Sequence, residues 1–152
     1  MRTFTKAIVM IGSAVALTVG GALSVSADDK AYIKYRQSAM KAMSGHISGA
    51  VAIIKGQVPY KDDLVTQVTG LRDTTKVLPN AFKQKTSGGK TRAKDKIWED
   101  SDDFNQKITA LQTAAEDFLA AAKSGPEAAG AKLGAVGEAC KACHKKYRAK
   151  KS

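Results

Sequence analysis

The sequence predicts an all-α protein, folded as an antiparallel four-helix bundle. Apolar residues recur with helical spacing in four segments, and no stretch alternates convincingly with period two. Clusters of Gly and Pro separate the segments. Two of the connections are short and one is longer, which is the layout of two helical hairpins joined by a crossover.

Each helical segment carries an apolar stripe along one face. We expect helices over about residues 29–55, 62–78, 95–123 and 126–150. In that order, the stripes consist of Ile33, Met40, Ile47 and Ile54; Leu64, Val68, Leu71 and Leu78; Ile97, Phe104, Ile108, Leu111, Ala115 and Phe118; and Leu133, Val136, Cys140, His144 and Tyr147. Stripes of this kind indicate amphipathic helices with one buried side.

The connections suggest how the helices are arranged. Gly and Pro within residues 56–59 end the first helix, and Ser124-Gly125-Pro126 separates the third helix from the fourth. Because both connections are short, the helices they join should be antiparallel neighbours. The connection over residues 79–94 is longer than is usual without a function. It either borders a cofactor or simply crosses the end of the bundle.

The first 27 residues have the order of a secretory signal peptide. Two basic residues open the chain, residues 7–22 are uncharged and mostly apolar, and residues 25–27 are small. The apolar stretch is short for a membrane span of about 20 residues, and glycines interrupt it, so cleavage is favoured over an anchor. We therefore predict a cleaved leader over residues 1–27 and one exported, periplasmic domain over residues 28–152.

The charge of the chain is strongly positive, with 25 basic and 14 acidic residues. Removing Arg2 and Lys6 with the leader leaves 23 basic residues and a net charge of +9. Such a charge steers encounters with acidic partners. Export and the lack of a nucleic-acid-binding motif argue against nucleic acid as the partner.

The most specific motif is Cys140-Lys141-Ala142-Cys143-His144, which reads C-x-x-C-H, the attachment sequence of c-type haem. Two thiols three residues apart can each form a thioether bond to one edge of the porphyrin, and the following imidazole can bind the iron. On a helix, Cys140 and His144 lie about 40° apart, with Cys143 on the same side. We therefore expect one covalent haem c, attached through Cys140 and Cys143, with His144 as an iron ligand.

Two other readings of the cysteines are weaker. A thioredoxin-like disulfide pair usually belongs to a βαβ pattern, which this chain lacks. A zinc site would need further ligands at metal spacing, and the only other histidine is the distant His46. Export supports the haem interpretation.

The residues after His144 are basic. Arg148 lies one turn beyond His144, where it could cover the imidazole edge or pair with a haem propionate. Lysines at positions 145, 146, 150 and 151 surround it. The alternative is that Arg148 has no role at the haem and is simply a basic residue at a helix C-terminus, where the helix dipole favours positive charge.

The opposite face of the iron must be met by another helix. Met40 lies in the middle of the first stripe, between Ile33 and Ile47, and is the best candidate. Met43 lies about 60° away and is either core or a substitute, and His46 lies about 120° away and points off the stripe. A methionine on an apolar stripe is also ordinary packing, so whether the Met40 sulfur bonds the iron stays open.

With C-x-x-C-H at the end of the last of four helices, the chain resembles the class II c-type cytochromes, which include cytochrome c′ and cytochrome c556. Tyr35-Arg36-Gln37-Ser38-Ala39-Met40 resembles the family's first-helix motif. Gly56 with Pro59-Tyr60 resembles the turn that follows, and Ile97-Trp98 the start of the third helix. Residues 137–148, GEACKACHKKYR, are similar to the haem-binding end and form the most specific match.

The resemblance implies a role for each matched position. It implies covalent haem on Cys140 and Cys143 with His144 as the proximal iron ligand. The other contacts that it implies are Arg36 and Gln37 near the propionates, Arg148 on the proximal side and Met40 at the distal position. Within the family, cytochrome c556 proteins are low spin with Met bonded to iron. Cytochromes c′ are five-coordinate and high spin, with an apolar distal side chain that can itself be Met, so the resemblance does not settle the ligation.

Two functions correspond to these two ligations. In the first, the protein is a periplasmic single-electron carrier with His144 and Met40 as axial ligands, since a Met ligand raises the potential. In the second, the distal side is open and binds nitric oxide or carbon monoxide. The sequence favours the carrier, because the thioether has a suitable lone pair and the stripe directs it inward.

The expected partners follow from the same features. The carrier hypothesis predicts a redox partner protein, and the basic surface would guide the carrier to an acidic docking surface on that partner or to an anionic membrane face. The resemblance implies a homodimer formed through the first two helices. After leader cleavage the protein should not be integral to the membrane. No catalytic dyad is visible, so the sequence predicts no dedicated enzyme.

Overall fold

A computed structural model describes residues 27–86 and 88–150. The helices are α1 (Ala27–Ile54), α2 (Asp63–Lys76), α3 (Leu78–Lys83), α4 (Lys96–Glu99), α5 (Ser101–Ala122) and α6 (Pro126–Tyr147). These ranges contain no β-strand, although an isolated antiparallel bridge joins Ala93 to Arg148. The predicted leader lies outside the described residues except for Ala27, at which α1 begins.

The four long helices form the predicted bundle. α1 packs on α2, α5 packs on α6, and the two hairpins meet through α2 with α5 and α1 with α6. The two tight turns use Gly56 and Gly125, whose φ angles of 65° and 106° are readily adopted only by glycine. The all-α, four-helix prediction is confirmed.

Outside α1, the core is built mainly from the predicted stripes. Its largest fully buried side chains are Phe118, Leu64, Leu71, Val68, Val136 and Thr75. Each of these residues sits on a stripe or one turn along from it, because a helix with 3.6 residues per turn brings positions three and four apart to the same side. On α1 the predicted stripe is offset from the buried face, because Met40, Ile47 and Ile54 are half-buried whereas Ala39, Met43, Ala50 and Ile53 form the core.

The two ends of the bundle are built differently. At one end, which we call the hairpin end, only the turns over residues 55–62 and 123–125 join the helices. At the other, the crossover end, α3 and the crossover segment (residues 84–86 and 88–95) cover the starts of α1 and α5 and the end of α6. Contacts across this end include the edge-to-face rings of Phe82 and Phe104, 5.0 Å apart.

Three predicted element boundaries are wrong. The helix expected over residues 95–123 breaks at Asp100, whose φ and ψ are −127° and 56°. There the Asp100 carboxylate forms an ion pair with Lys146, with 2.8 Å between Oδ2 and Nζ. The long connection contains α3, and α6 ends at Tyr147 because Arg148 adopts an extended conformation and pairs with Ala93. The first and the third difference coincide with contacts between segments that are distant in sequence.

Candidate haem site

The C-x-x-C-H motif lies in the last two turns of α6. Cys140 and Cys143 are half-buried and pack against the hydrophobic core, and neither forms a disulfide. His144 is half-buried on the same helix. The helix therefore presents two thiols and an imidazole within about one turn, as the sequence predicts.

The thiols are held in their protonated form. Burial raises the pKa of Cys140 above its ordinary value. Burial, and secondarily the neighbouring Cys140, raises the pKa of Cys143 to about 11. An activated redox thiol needs a lowered pKa instead. Within the described residues, no three His, Cys, Asp or Glu side chains are grouped so that they could hold a metal ion by themselves.

A polar clamp fixes the turn that follows His144. The Tyr147 hydroxyl donates a hydrogen bond to Asp103 Oδ2 at 2.5 Å, and Lys146 Nζ lies 2.9 Å from the same oxygen. The Tyr147 ring is buried edge-on against Phe104, with 5.0 Å between centroids. These contacts join the end of α6 to the start of α5.

The electrostatics of the clamp are consistent with its hydrogen bonds. The hydrogen bond from Tyr147, and then that from Lys146, lowers the pKa of Asp103 to about 2. Burial, followed by the hydrogen bond to Asp103, raises the pKa of Tyr147 to about 12. Bonds to Asp100 and Asp103 raise the pKa of Lys146. All three groups are therefore in their hydrogen-bonding charge states at neutral pH.

The crossover segment is hydrogen-bonded to the chain just beyond His144. Lys94 N donates to Tyr147 O at 3.0 Å, and Ala149 N donates to Arg92 O at 2.8 Å. The Arg92 Nε also donates to Ala149 O at 2.9 Å. This pairing holds the Arg92 side chain beside the end of α6.

His144 consequently has two cationic neighbours. Burial lowers the pKa of His144, and the charges of Arg148 and Arg92 lower it further. The sequence singles out Arg148 but not Arg92, because nothing local in residues 79–94 shows that this segment returns to α6. The pairing of Ala93 with Arg148 is the missing information.

Arg36 is buried where α1 meets α3 and the crossover segment, with 3 % of its surface exposed. Its Nη2 donates to Thr86 Oγ1 at 2.5 Å, and its Nη1 to Gln84 O at 3.3 Å. The guanidinium lies over the rings of Phe82 and Trp98, 5.6 and 5.3 Å from their centroids. Burial lowers the pKa of Arg36.

The second polar residue of the α1 motif also contacts the crossover segment. Gln37 is exposed, and its Nε2 donates to Lys90 O at 2.8 Å. Arg36 Nε, by contrast, is buried without a hydrogen-bond partner in the described part of the chain. A buried cation with a spare donor at this end suits an anionic group such as a propionate.

The three side chains of α1 that are considered as distal iron ligands occupy different environments. Met43 is buried in the hydrophobic core. Met40 is half-buried and packs against the edge of the same core, as do Cys140 and Cys143. His46 lies between α1 and α2, with its Nδ1 3.1 Å from Gln67 Oε1.

The residues present fit a covalently attached haem. Two protonated thiols and a histidine adjoin on one helix, a methionine from another helix borders the same core, and arginines lie at the same end of the bundle. A four-helix bundle with this C-x-x-C-H terminus is a class II c-type cytochrome.

Comparisons with known proteins identify the family. The family model described as Cytochrome C′ matches residues 31–148. Cytochrome c′ of Rhodospirillum rubrum is 34 % identical over 142 residues, which cover 92 % of this chain and 97 % of that protein. A cytochrome c-556 of Agrobacterium tumefaciens is 36 % identical over 117 residues, covering 76 % of this chain and 93 % of the relative.

A solved structure agrees. The nitric oxide complex of a cytochrome c prime mutant from Alcaligenes xylosoxidans has a TM-score of 0.75 and 37 % identity, covering 83 % of this chain and 99 % of that one. The chain belongs to the cytochrome c′ family. It binds one covalent haem c, and Cys140 and Cys143 are its only cysteines.

Proposed function

We propose that this protein carries single electrons, with its iron held between His144 on α6 and Met40 on α1. The haem supplies a reversible one-electron couple, and a methionine ligand raises its potential. The roles of the chain are to hold the two axial side chains and to restrict access of water to them.

The placement of Met40 carries this proposal. Besides the two methionines of the leader, the chain has only Met40 and Met43. Met43 is buried in the core, whereas Met40, like Cys140 and Cys143, is half-buried and packs against the core. His46 is engaged with Gln67 between α1 and α2. Of these side chains, Met40 is the one that is left to face the haem.

The surroundings of His144 support a fixed proximal ligand. The clamp of Tyr147 and Lys146 on Asp103 holds the helix end that carries the imidazole. We propose that Arg148 contributes positive charge on this side and that Arg36 and Gln37 contact the propionates. A ligand held by a rigid turn needs little rearrangement when the iron changes its oxidation state.

Gas binding is the second candidate function. The solved relatives include nitric oxide and carbon monoxide complexes of a cytochrome c prime. The proposal for this chain would then be a five-coordinate iron with Met40 lining, rather than filling, the distal site. Neither candidate function is that of a dedicated enzyme.

The spectrum of the purified ferrous protein tests the ligation. Six-coordinate, low-spin bands are expected in the parent protein, and high-spin bands with prompt carbon monoxide binding in Met40→Leu. The matched control is Met43→Leu, which removes the other α1 sulfur and should leave the bands unchanged. High-spin bands in the parent protein would reject Met40 ligation and favour gas binding.

We also propose that the leader is removed after Ala27 and that the mature protein is periplasmic. No helix in the described residues is long and apolar enough to cross a membrane. Homodimerisation through α1 and α2 is part of the same proposal. Mass analysis of exported protein should give the chain from Asp28 plus one haem, and sedimentation should give twice that mass.

A further inference from the structure

An open depression of about 670 Å³ lies beside His144 at the crossover end. Five of its seven lining residues are cations and none is acidic. These cations, which we call the basic rim, are Arg92, Lys141, Lys145, Arg148 and Lys150. They come from α6, the residues that follow it and the crossover segment, so the fold assembles a concentration of charge that no single helix carries.

Neighbouring acids do little to neutralise the basic rim. Among the described residues, the ion pair that reaches a rim residue joins Lys141 to Glu138, at 3.9 Å between two exposed side chains. Exposed pairs of this kind contribute little. Asp100 and Asp103 are engaged by Lys146, which does not line the depression. The rim therefore presents positive potential to the solvent.

The positive charge is not a property of every concave surface of the molecule. A second open depression, on α5, is lined by Asp102, Asn105, Gln106, Thr109, Ala110 and Thr113. Its one charged side chain is acidic. An approaching anionic surface would therefore be oriented towards the end of the bundle that carries His144.

We infer that the basic rim docks a carboxylate-rich face of a partner redox protein. The inference rests on the proposed electron-carrier function and names its contact surface. Complementary charge accelerates such encounters and fixes their orientation. Because His144 lines the same depression, a partner seated there lies next to the proposed iron ligand. One electron then passes between the two centres, so one is oxidised as the other is reduced, and no bond forms or breaks.

Charge reversal on the basic rim tests the inference, with ferricyanide as an anionic oxidant probe. The rim variant is Lys145→Glu with Lys150→Glu. Its matched control is Lys61→Glu with Lys123→Glu, which has the same net charge but changes exposed lysines at the hairpin end. Stopped-flow oxidation of the ferrous holoprotein at low ionic strength should be slowed about tenfold in the rim variant and about twofold in the control.

High salt provides an internal check on these rates. At 1 M ionic strength the Debye length is about 3 Å, so the three proteins should react at the same rate. Equal slowing of the two variants at low salt would overturn the inference, because net charge alone would then explain the effect. So would a rim variant that stays slow at high salt, since its defect would not be electrostatic.

Two further probes identify the kind of surface that docks. Poly-L-glutamate should compete with ferricyanide in the parent protein, and much less in the rim variant. Phosphatidylglycerol vesicles should sediment the rim variant and its charge-matched control equally, because the two proteins carry the same net charge. Vesicle binding that depends on the rim, without competition by poly-L-glutamate, would assign the surface to a membrane and overturn protein docking.

The result is separable from the test of the proposed function. The spin state of the ferrous protein decides the ligation, and the ratio of variant rates decides the docking surface. Each variant is first checked for covalent haem by mass and for an unchanged visible spectrum. A milder variant replaces the rim variant if the latter does not acquire covalent haem. The double variant Lys145→Gln with Lys150→Gln is then compared, by the same criteria, with the double variant Lys61→Gln with Lys123→Gln.

Discussion

The hydroxyl of Tyr147 donates a hydrogen bond to Asp103 Oδ2 at 2.5 Å, and this bond fixes the end of α6 to the start of α5. Tyr147 is buried, whereas the Asp103 carboxylate is partly exposed. Of the three residues between His144 and Arg148, Tyr147 is buried in the core and Lys146 forms an ion pair with the Asp103 carboxylate.

Removing that hydroxyl should destabilise the protein without disturbing the core. In Tyr147→Phe the ring keeps its contact with Phe104, and Asp103 loses its shortest hydrogen bond. We expect the free energy of unfolding to fall by about 1 kcal/mol. Urea unfolding measures it, with Tyr60→Phe, at an exposed tyrosine, as the control. Equal effects of the two substitutions would contradict this role.

The same carboxylate predicts a pH dependence of stability. The pKa of Asp103 is lowered to about 2 in the folded protein, below the ordinary value near 4 that an unfolded chain has. Its contribution should therefore be complete above about pH 4 and decline as the pH falls towards 2. The stability difference between the parent and Asp103→Asn, measured by urea unfolding, should shrink between pH 6 and pH 2.5. A constant difference would show that the charged form is not the stabilising one.

A close approach between α1 and α2 gives a third prediction. The His46 ring lies where a Cβ on Gly70 would be, and it is held there by Gln67. Gly70→Ala should therefore cost about 1–2 kcal/mol, although alanine favours helix formation. Thermal unfolding measures this cost, and combining the change with His46→Ala should recover part of it.

Gly134 provides the matched control for that substitution. A Cβ there would meet no atom within 4 Å, and the residue lies within α6. Gly134→Ala should stabilise the protein by about 0.5–1 kcal/mol through helix propensity alone. If Gly70→Ala behaves like Gly134→Ala, the helices can separate freely and the contact with His46 is unimportant.

The fourth prediction concerns the hydrogen bond between Arg36 and Thr86. Both residues are buried, with 3 % and 4 % of their surfaces exposed. Thr86→Val keeps the shape of the side chain but deprives a buried guanidinium of an acceptor, at a cost of about 2 kcal/mol. Chemical denaturation measures this cost against Thr113→Val, at an exposed position on α5. A loss no larger than that of the control would mean that water replaces the Thr86 hydroxyl.

The sequence predicts those parts of the site that depend on local geometry. The relation of Cys140, Cys143 and His144 follows from their spacing on one helix, and the apolar stripes of α2 and α5 identify the faces that form the core. On α1, periodicity places Met40 on the stripe and Met43 about 60° away from it, and the burial in the structure is the reverse. The structure separates them by burial, because Met43 faces the core more directly.

Contacts between distant segments could not be read from the sequence. Arg92 reaches His144 only because residues 92–94 pair with residues 147–149, more than fifty positions away. The helix break at Asp100 coincides with an equally distant contact, the ion pair between Asp100 and Lys146. Neither the sequence around residues 92–94 nor that around Asp100 contains a pattern that would predict these contacts.

The unequal construction of the two bundle ends has a consequence for how the chain folds. The turns of the hairpin end close over a few residues, whereas Arg36 meets Thr86 and Arg92 meets Ala149 only after loops of 50 and 57 residues have closed. Loop closure costs more entropy as the separation grows. The hairpin end should therefore form early, and the iron-bearing end should be the last to assemble and the first to open. Without haem, amide hydrogen exchange should therefore be fastest at the end of the bundle that holds the haem. The two covalent links and the axial bonds of the haem would stabilise that end and slow its exchange.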